Sequence, residues 1–212
     1  MSGRGVPRIE SLKFTGPAGV LEGILHTPAA EPEGAALLCH PHPLQGGTMH
    51  SPVIFRAARA FHRRNRVTLR FNFRGVGLSS GSFDSGRGEK EDVRAALDLL
   101  AGRLAGLPLA VAGYSFGSWV GLEAVGGDPR VLTLVGIGIP LTLAPFDFLR
   151  RIEKPVLIVQ GTNDEFGPLP SVRRLVAELG SKARLVTLPG ADHLFTGELG
   201  RLEESLYAEL AV

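Results

Sequence analysis

Cysteine and unbalanced charge are both scarce in this chain of 212 residues. Cys39 is the only cysteine, so no disulfide can form within the chain, and its apolar neighbours predict a small buried core residue. The formal net charge is only +2, and the densest basic cluster is Arg63, Arg64 and Arg66. We interpret that cluster as a solvated helix end, because no interleaved aromatic residues or basic stripe accompany it. These deficits argue against a disulfide scaffold and against a nucleic-acid partner.

Long hydrophobic runs are also missing. No apolar stretch approaches the ~20 residues of a membrane-spanning helix, and the N-terminus lacks the apolar segment of a signal peptide. We therefore expect a cytoplasmic protein with no membrane partner. Hydrophobic residues make up 44% of the chain, which is enough for a sizeable core. The length predicts one domain over residues 1–212, with a loose tail at residues 1–7.

Apolar stretches of strand length alternate with amphipathic stretches of helix length. Residues 9–14 and 20–26 flank Gly16-Pro17-Ala18-Gly19 and predict a hairpin. Further strands are predicted at residues 35–39, 67–73, 109–112, 131–139, 155–160 and 183–188, and helices at residues 52–63, 89–104, 116–125, 169–179 and 198–210. This alternation predicts the α/β class, with a three-layer arrangement around a mostly parallel sheet of about eight strands. The hairpin adds an antiparallel edge.

A Gly-x-Ser-x-Gly motif, residues 113–117, stands between a predicted strand and a predicted helix. A sharp strand-turn-helix corner needs small residues, and Gly113 and Gly117 supply that room. On such a corner the hydroxyl of Ser115 would be exposed at the carboxyl edge of the sheet, close to the amides that begin the helix. Ser115 is therefore the candidate nucleophile.

A serine nucleophile needs an imidazole base and an acid that orients it. Asp164 follows the predicted strand 155–160, and His193 follows the predicted strand 183–188. Because the carboxyl ends of parallel strands meet at one edge of a sheet, we expect both beside Ser115. Glu165 and Asp147 remain alternative acids, and Asp192 is interpreted as a turn former.

Two backbone N–H groups are expected to receive the negative oxygen of a tetrahedral intermediate. The amide of Phe116, directly after Ser115, is one candidate. The second donor is predicted in the loop after strand 35–39, where His42 is the first choice and Leu44 the second. Pro41 and Pro43 are excluded because proline has no N–H.

Neither a metal nor another cofactor is predicted. His40, His42 and His50 could be imagined as metal ligands, but no cysteine or carboxylate cluster accompanies them. Gly75-Val76-Gly77 follows a strand, but no helix opens there and the third glycine of a dinucleotide-binding loop is displaced. We interpret that segment as part of a glycine-rich surface loop.

These motifs resemble those of the α/β-hydrolase superfamily, in which nucleophile, acid and histidine follow in the order seen here. The segments 40–49, with the pattern HPHP-x-x-GGT, and 70–77, with the sequence RFNFRGVG, resemble a group of small bacterial hydrolases related to dienelactone hydrolase. Dienelactone hydrolase itself uses cysteine, whereas this chain has Ser115 at that position. The resemblance implies an α/β-hydrolase fold and a predicted hydrolase, without naming a substrate.

The connection between the sixth and seventh predicted strands, residues 140–154, is too short for the cap domain that many superfamily members insert there. Leu141, Leu143, Phe146 and Phe148 either line an open cleft or cover the core. We predict a lidless serine hydrolase that cleaves a small acyl compound, with a carboxylic ester as the favoured substrate. A thioesterase or peptidase with the same residues, or a non-catalytic binding protein, are the alternatives. A homodimer through an edge strand is left open.

Overall fold

The computed structural model describes residues 6–210, so most of the predicted tail at residues 1–7 lies outside the described residues. Within this range, eight strands form one sheet in the order β1-β2-β4-β3-β5-β6-β7-β8. The strands are β1 Arg8–Gly16, β2 Gly19–Thr27, β3 Gly34–Cys39, β4 Arg66–Phe71, β5 Leu109–Tyr114, β6 Val131–Ile137, β7 Val156–Gly161 and β8 Ala183–Leu188. The helices are α1 Pro52–Arg63, α2 Arg87–Arg103, α3 Phe116–Val125, α4 Leu169–Leu179 and α5 Leu199–Glu209.

Strand pairing confirms the predicted α/β class. β1 and β2 form an antiparallel hairpin whose register pairs Gly16 with Gly19, and β2 pairs antiparallel with β4. All other neighbours in the sheet are parallel. The parallel strands are joined through helices, which is the connection that parallel pairing requires.

Helices cover both faces of the sheet. Residues of α2, α3 and α4 belong to one core cluster, and residues of α1 and α5 belong to the other. Consecutive residues of β3 illustrate why, since Leu37 packs into the first cluster and Leu38 into the second, and both are fully buried. A strand that is apolar on both sides can only be stable between two layers of helices.

The basic cluster at the end of α1 is less solvated than the sequence predicts. The guanidinium groups of Arg63 and Arg64 lie over the ring of Tyr207 in α5, 4.2 and 3.8 Å from its centroid. The buried carboxylate of Glu203 accepts hydrogen bonds from Arg63 and from Arg56, at 3.2 and 3.0 Å. The cluster therefore docks α1 against α5, which periodicity alone could not show.

The end of β4 differs from the prediction. The strand ends at Phe71, two residues before the expected Phe73. The N–H of Phe73 donates instead to Nε2 of His40, at 3.1 Å. A side chain from the neighbouring loop has thus replaced a strand as the hydrogen-bond partner.

The start of α2 also differs, because the helix begins at Arg87 rather than at Glu89. Gly86 has a left-handed φ of 89°, and its N–H donates to the carboxylate of Glu89 at 2.8 Å. The same carboxylate accepts from the N–H of Asp84 at 2.8 Å. A fully buried glutamate therefore caps the helix and ends the preceding loop.

The connection between β6 and β7 contains one short 3₁₀ helix, Asp147–Arg151, and no inserted domain. This agrees with the predicted lack of a cap. Within residues 6–210, no helix has both the length and the apolar character needed to cross a membrane.

Candidate active site

The turn between β5 and α3 holds Ser115 in a strained backbone conformation. Its φ of 53° and ψ of −122° lie outside the regions that a serine ordinarily adopts. A β-carbon at Gly113 would lie 2.1 Å from the carbonyl oxygen of Gly117, and one at Gly117 would lie 2.2 Å from that of Cys39. The two glycines of the motif are therefore required by close backbone contacts, as the sequence predicts.

Ser115, His193 and Asp164 are joined by hydrogen bonds in a single chain. Oγ of Ser115 lies 2.9 Å from Nε2 of His193, and Nδ1 of His193 lies 2.8 Å from Oδ2 of Asp164. His193 and Asp164 are both buried. Each residue follows a different strand, β5, β8 or β7, and the parallel sheet brings these strand ends together. This geometry can pass a proton from a hydroxyl to an oriented imidazole.

The carboxylate of Asp164 has hydrogen-bond partners besides His193. Its Oδ1 accepts the N–H groups of Phe166 and Gly167 at 2.9 and 3.0 Å, and its Oδ2 accepts Nε2 of Gln160 at 2.7 Å. Gln160 is fully buried at the end of β7. The sequence analysis missed this residue, although a polar side chain that ends an apolar strand was a signal that could have found it.

The alternative acids lie elsewhere. Glu165 is exposed, and Asp147 is exposed in the 3₁₀ helix, where it pairs with Arg150. Oδ1 of Asp192 accepts the N–H of Thr196 at 2.9 Å, as a turn-forming residue would. Of the candidate carboxylates, only Asp164 hydrogen-bonds to His193.

Aromatic side chains fix the loop that carries His193. The hydroxyl of Tyr114 donates to the carbonyl oxygen of His193 at 2.9 Å, and burial raises the pKa of this tyrosine, which keeps it a donor. The ring of Phe166 meets the His193 ring edge to face, with the centroids 4.8 Å apart. The imidazole is therefore positioned by its backbone and by its ring as well as by Asp164.

His40 is a structural part of the loop after β3. Its Nδ1 donates to the carbonyl oxygen of Pro41 at 2.7 Å, and its Nε2 accepts the N–H of Phe73. Burial lowers the pKa of His40 to about 4, so the ring is neutral at neutral pH. Both ring nitrogens are occupied, which leaves neither for a metal. Across residues 6–210 the structure holds no group of three or more His, Cys, Asp or Glu side chains suited to a metal ion.

The two candidate donors in this loop differ in availability. The N–H of Leu44 already donates to Nδ1 of His42 at 3.2 Å. Within residues 6–210, the N–H groups of His42 and Phe116 donate to no protein acceptor. The rings of His42 and Phe116 are neighbours, with centroids 5.0 Å apart. Close packing of Gly117 on the backbone of Cys39 brings the loop against the start of α3.

The RFNFRGVG segment braces the loops around Ser115. Arg70 donates to the carbonyl oxygen of Met49 at 2.9 Å, and Oδ1 of Asn72 accepts the N–H of Met49 at 2.8 Å. Arg74 forms a bidentate pair with the buried carboxylate of Asp92 in α2. The polar residues that alternate along this motif thus connect the end of β4 to the loop that contains Met49 and to α2.

A cleft of about 1150 Å³ opens over Ser115. Its lining among residues 6–210 includes no Asp, Glu, Lys or Arg. Three non-glycine residues with positive φ line it, namely Ser85, Ser115 and Phe195. Backbone strain is thus concentrated around the cleft, as is common where function requires it.

The large apolar residues of the connection 140–154 were predicted either to line the cleft or to cover the core, and the structure shows both roles. Leu143 lines the cleft and is 68% exposed. Phe146 and Phe148 are buried in the core, and Leu141 packs against it. The segment therefore contributes one leucine to the cleft and uses its other large apolar residues to cover the core.

An eight-stranded, mostly parallel sheet with helices on both faces, an antiparallel hairpin and no inserted domain is the architecture of a lidless α/β hydrolase. The alpha/beta hydrolase domain family matches residues 35–206, and the chain belongs to this family.

Solved structures of similar proteins share this fold. The chain is 37% identical to an alpha-beta serine hydrolase homologue from Coxiella burnetii, with a TM-score of 0.90 over 95% of this chain and 97% of that one. It is 32% identical to XC6422 from Xanthomonas campestris, a serine hydrolase without a lid, with a TM-score of 0.88 over 96% and 94%. A dienelactone hydrolase from Anabaena variabilis shares the fold at 22% identity, with a TM-score of 0.78 over 95% and 96%. The predicted resemblance is confirmed.

Proposed function

We propose that this hydrolase cleaves a carboxylic ester of a small acyl compound, with Ser115 as nucleophile, His193 as base and acid, and Asp164 as the group that orients His193. The observation that carries the proposal is the continuous hydrogen-bonded chain from Oγ of Ser115 through His193 to Asp164. A backbone held at φ 53° at Ser115 supports it, because strain of this kind accompanies an exposed nucleophile on a sharp turn.

In the first half of the reaction, Oγ of Ser115 attacks the ester carbonyl carbon while its proton passes to Nε2 of His193. The tetrahedral intermediate collapses when the C–O bond to the leaving group breaks and His193 gives that proton to the departing oxygen. In the second half, water attacks the acyl-serine, His193 takes its proton and returns it to Oγ of Ser115, and a carboxylic acid leaves. The carboxylate of Asp164 stabilises the imidazolium that forms in each half.

The N–H groups of Phe116 and His42 are the proposed oxyanion donors. Among residues 6–210 neither donates to a protein acceptor, whereas the N–H of Leu44 donates to Nδ1 of His42. We therefore favour His42 over Leu44. A pair of donors that is already in place stabilises the developing negative charge without reorganisation, and each is worth about 3 kcal/mol in the transition state.

Replacing the nucleophile tests the proposal. Ser115→Ala should reduce hydrolysis of 4-nitrophenyl acetate by a factor on the order of 10⁴ or more, because the acyl-enzyme can no longer form. A fluorophosphonate probe should label the wild-type chain at Ser115 and leave the variant unlabelled.

The exposed Ser171 in α4 provides a matched control, and Ser171→Ala should retain both turnover and labelling. Turnover or labelling that persists in Ser115→Ala would refute the assignment of the nucleophile. A wild-type chain that is neither labelled nor active would support a binding protein instead. Comparison of matched ester, thioester and amide substrates tests the choice of ester.

A further inference from the structure

The proposed mechanism determines where the leaving group of the substrate lies. His193 must protonate the departing oxygen, so that oxygen has to sit within hydrogen-bond reach of Nε2. On this side the cleft is lined by Phe166, whose ring contacts the His193 ring, and by Leu194, which is 68% exposed. The acyl group then takes another part of the cleft, and we place it beside the proposed oxyanion donors.

The part of the cleft beside these donors is aromatic. His42 lies 4.8 Å from Phe83 and 5.0 Å from Phe116, measured between ring centroids, and Phe116 lies 5.8 Å from Phe83 and 5.9 Å from Trp119. All four side chains line the cleft. We call these four residues the aromatic wall. It adjoins the N–H groups that would bind the oxyanion, because His42 and Phe116 contribute both a ring and an amide.

The aromatic wall is uncharged, and its Trp119 packs against the segment that begins α2. Burial lowers the pKa of His42, so its ring is neutral at neutral pH. The indole of Trp119 packs against Gly86, where an added β-carbon would lie 2.8 Å from it. Nζ of Lys90 lies 4.9 Å from the Trp119 ring, but Lys90 does not line the cleft. Aromatic rings of this kind accept a planar aromatic group by edge-to-face or offset stacking.

We infer that the aromatic wall is the acyl subsite of this hydrolase and that it selects esters of uncharged, planar aromatic carboxylic acids. The inference rests on the proposed function. A free carboxylate on the acyl group would lose its hydration in the cleft, whose lining offers no cationic side chain among residues 6–210. A saturated ring of equal size would fill the same space without the stacking geometry.

Three 4-nitrophenyl esters with a common leaving group test this selection: the benzoate, the cyclohexanecarboxylate and the 4-carboxybenzoate. For the wild-type chain, kcat/KM for the benzoate should exceed that for the 4-carboxybenzoate by about tenfold or more. In Phe83→Leu, which keeps an apolar side chain but removes the ring, the benzoate to cyclohexanecarboxylate ratio of kcat/KM should fall about three- to tenfold. Trp119→Leu should lower the same ratio.

Phe55→Leu is the matched control. Phe55 is a partly exposed phenylalanine on α1 outside the cleft, so this substitution should leave the ratio unchanged. Ser115-dependent hydrolysis with a ratio that Phe83→Leu does not alter would overturn the aromatic subsite and leave the hydrolase intact. Equal turnover of the benzoate and the 4-carboxybenzoate would overturn the selection against charge. A wild-type chain that hydrolyses 4-nitrophenyl acetate but none of the three esters would overturn the aromatic subsite alone, whereas one that hydrolyses no ester at all would overturn both proposals.

Discussion

At the scale of single residues, Gln160 connects three parts of the site. Its Oε1 accepts the N–H of Ile139 at 2.9 Å, and its Nε2 donates to Oδ2 of Asp164 and to the carbonyl oxygen of Gly167. Gln160 is not among the residues that line the cleft. It is therefore a positioning residue, which acts through the carboxylate that orients His193.

Gln160→Met should lower kcat by about 10- to 100-fold with KM nearly unchanged, because a misplaced acid affects the chemical step more than substrate binding. Steady-state kinetics with a single ester checks this separation. Circular dichroism at the assay temperature serves as the control for folding. An increase in KM with kcat retained would contradict the positioning role.

At the scale of elements, the β5–α3 turn depends on the absence of side chains at two positions. A β-carbon at Gly117 would overlap the backbone carbonyls of Cys39 and His40, at 2.2 and 2.4 Å, and neither backbone can move without shifting β3 or its loop. Gly102, near the end of α2, has no atom within 4 Å of where a β-carbon would be. The same substitution should therefore have opposite effects at the two glycines.

Gly117→Ala should reduce the free energy of unfolding by about 2 kcal/mol or more through overpacking, and it should impair turnover by displacing Ser115. Gly102→Ala should raise the free energy of unfolding by about 0.5–1 kcal/mol, because alanine is the better helix former. Urea denaturation of both variants beside the wild type measures the two changes. Equal effects would show that local helix preference outweighs the backbone contact.

At the scale of the whole molecule, folding suppresses the protonation of several histidines. Burial lowers the pKa of His40 to about 4, and it also lowers the pKa values of His26, His42 and His62. The rings of His26 in β2 and His62 in α1 are stacked with their centroids 3.6 Å apart, and the neighbouring His62 further lowers the pKa of His26. Below pH 6.5, the usual value for histidine, the unfolded chain therefore binds more protons than the folded chain, and stability rises with pH.

For His40 alone, lowering the pH from 7.5 to 5.5 should reduce the free energy of unfolding by about 1–2 kcal/mol. Denaturant titrations at the two pH values measure this difference. In His40→Gln, which cannot titrate in this range, the difference between the two pH values should shrink by that amount, even if the variant is less stable at both. An unchanged pH dependence would show that His40 does not titrate as its burial implies.

The order and type of the elements could be predicted from the sequence, because periodicity and turn residues are local properties. The bounds of α1, α3, α4 and β8 agree residue for residue with the predictions. The errors at the end of β4 and at the start of α2 arise where His40 and Glu89 supply hydrogen bonds from side chains. No pattern of hydrophobicity encodes such contacts.

The sequence by itself determined that Ser115, Asp164 and His193 each follow a separate strand, and parallel pairing then places those strand ends at the same edge of the sheet. Only the tertiary structure decided which neighbours hold them. The bond of Gln160 to Asp164, the occupied N–H of Leu44 and the aromatic wall all join segments from different parts of the fold or depend on loop geometry. The physical reason is that alternating polarity specifies which face of an element is buried, whereas an individual hydrogen bond or ring contact depends on the packed backbone.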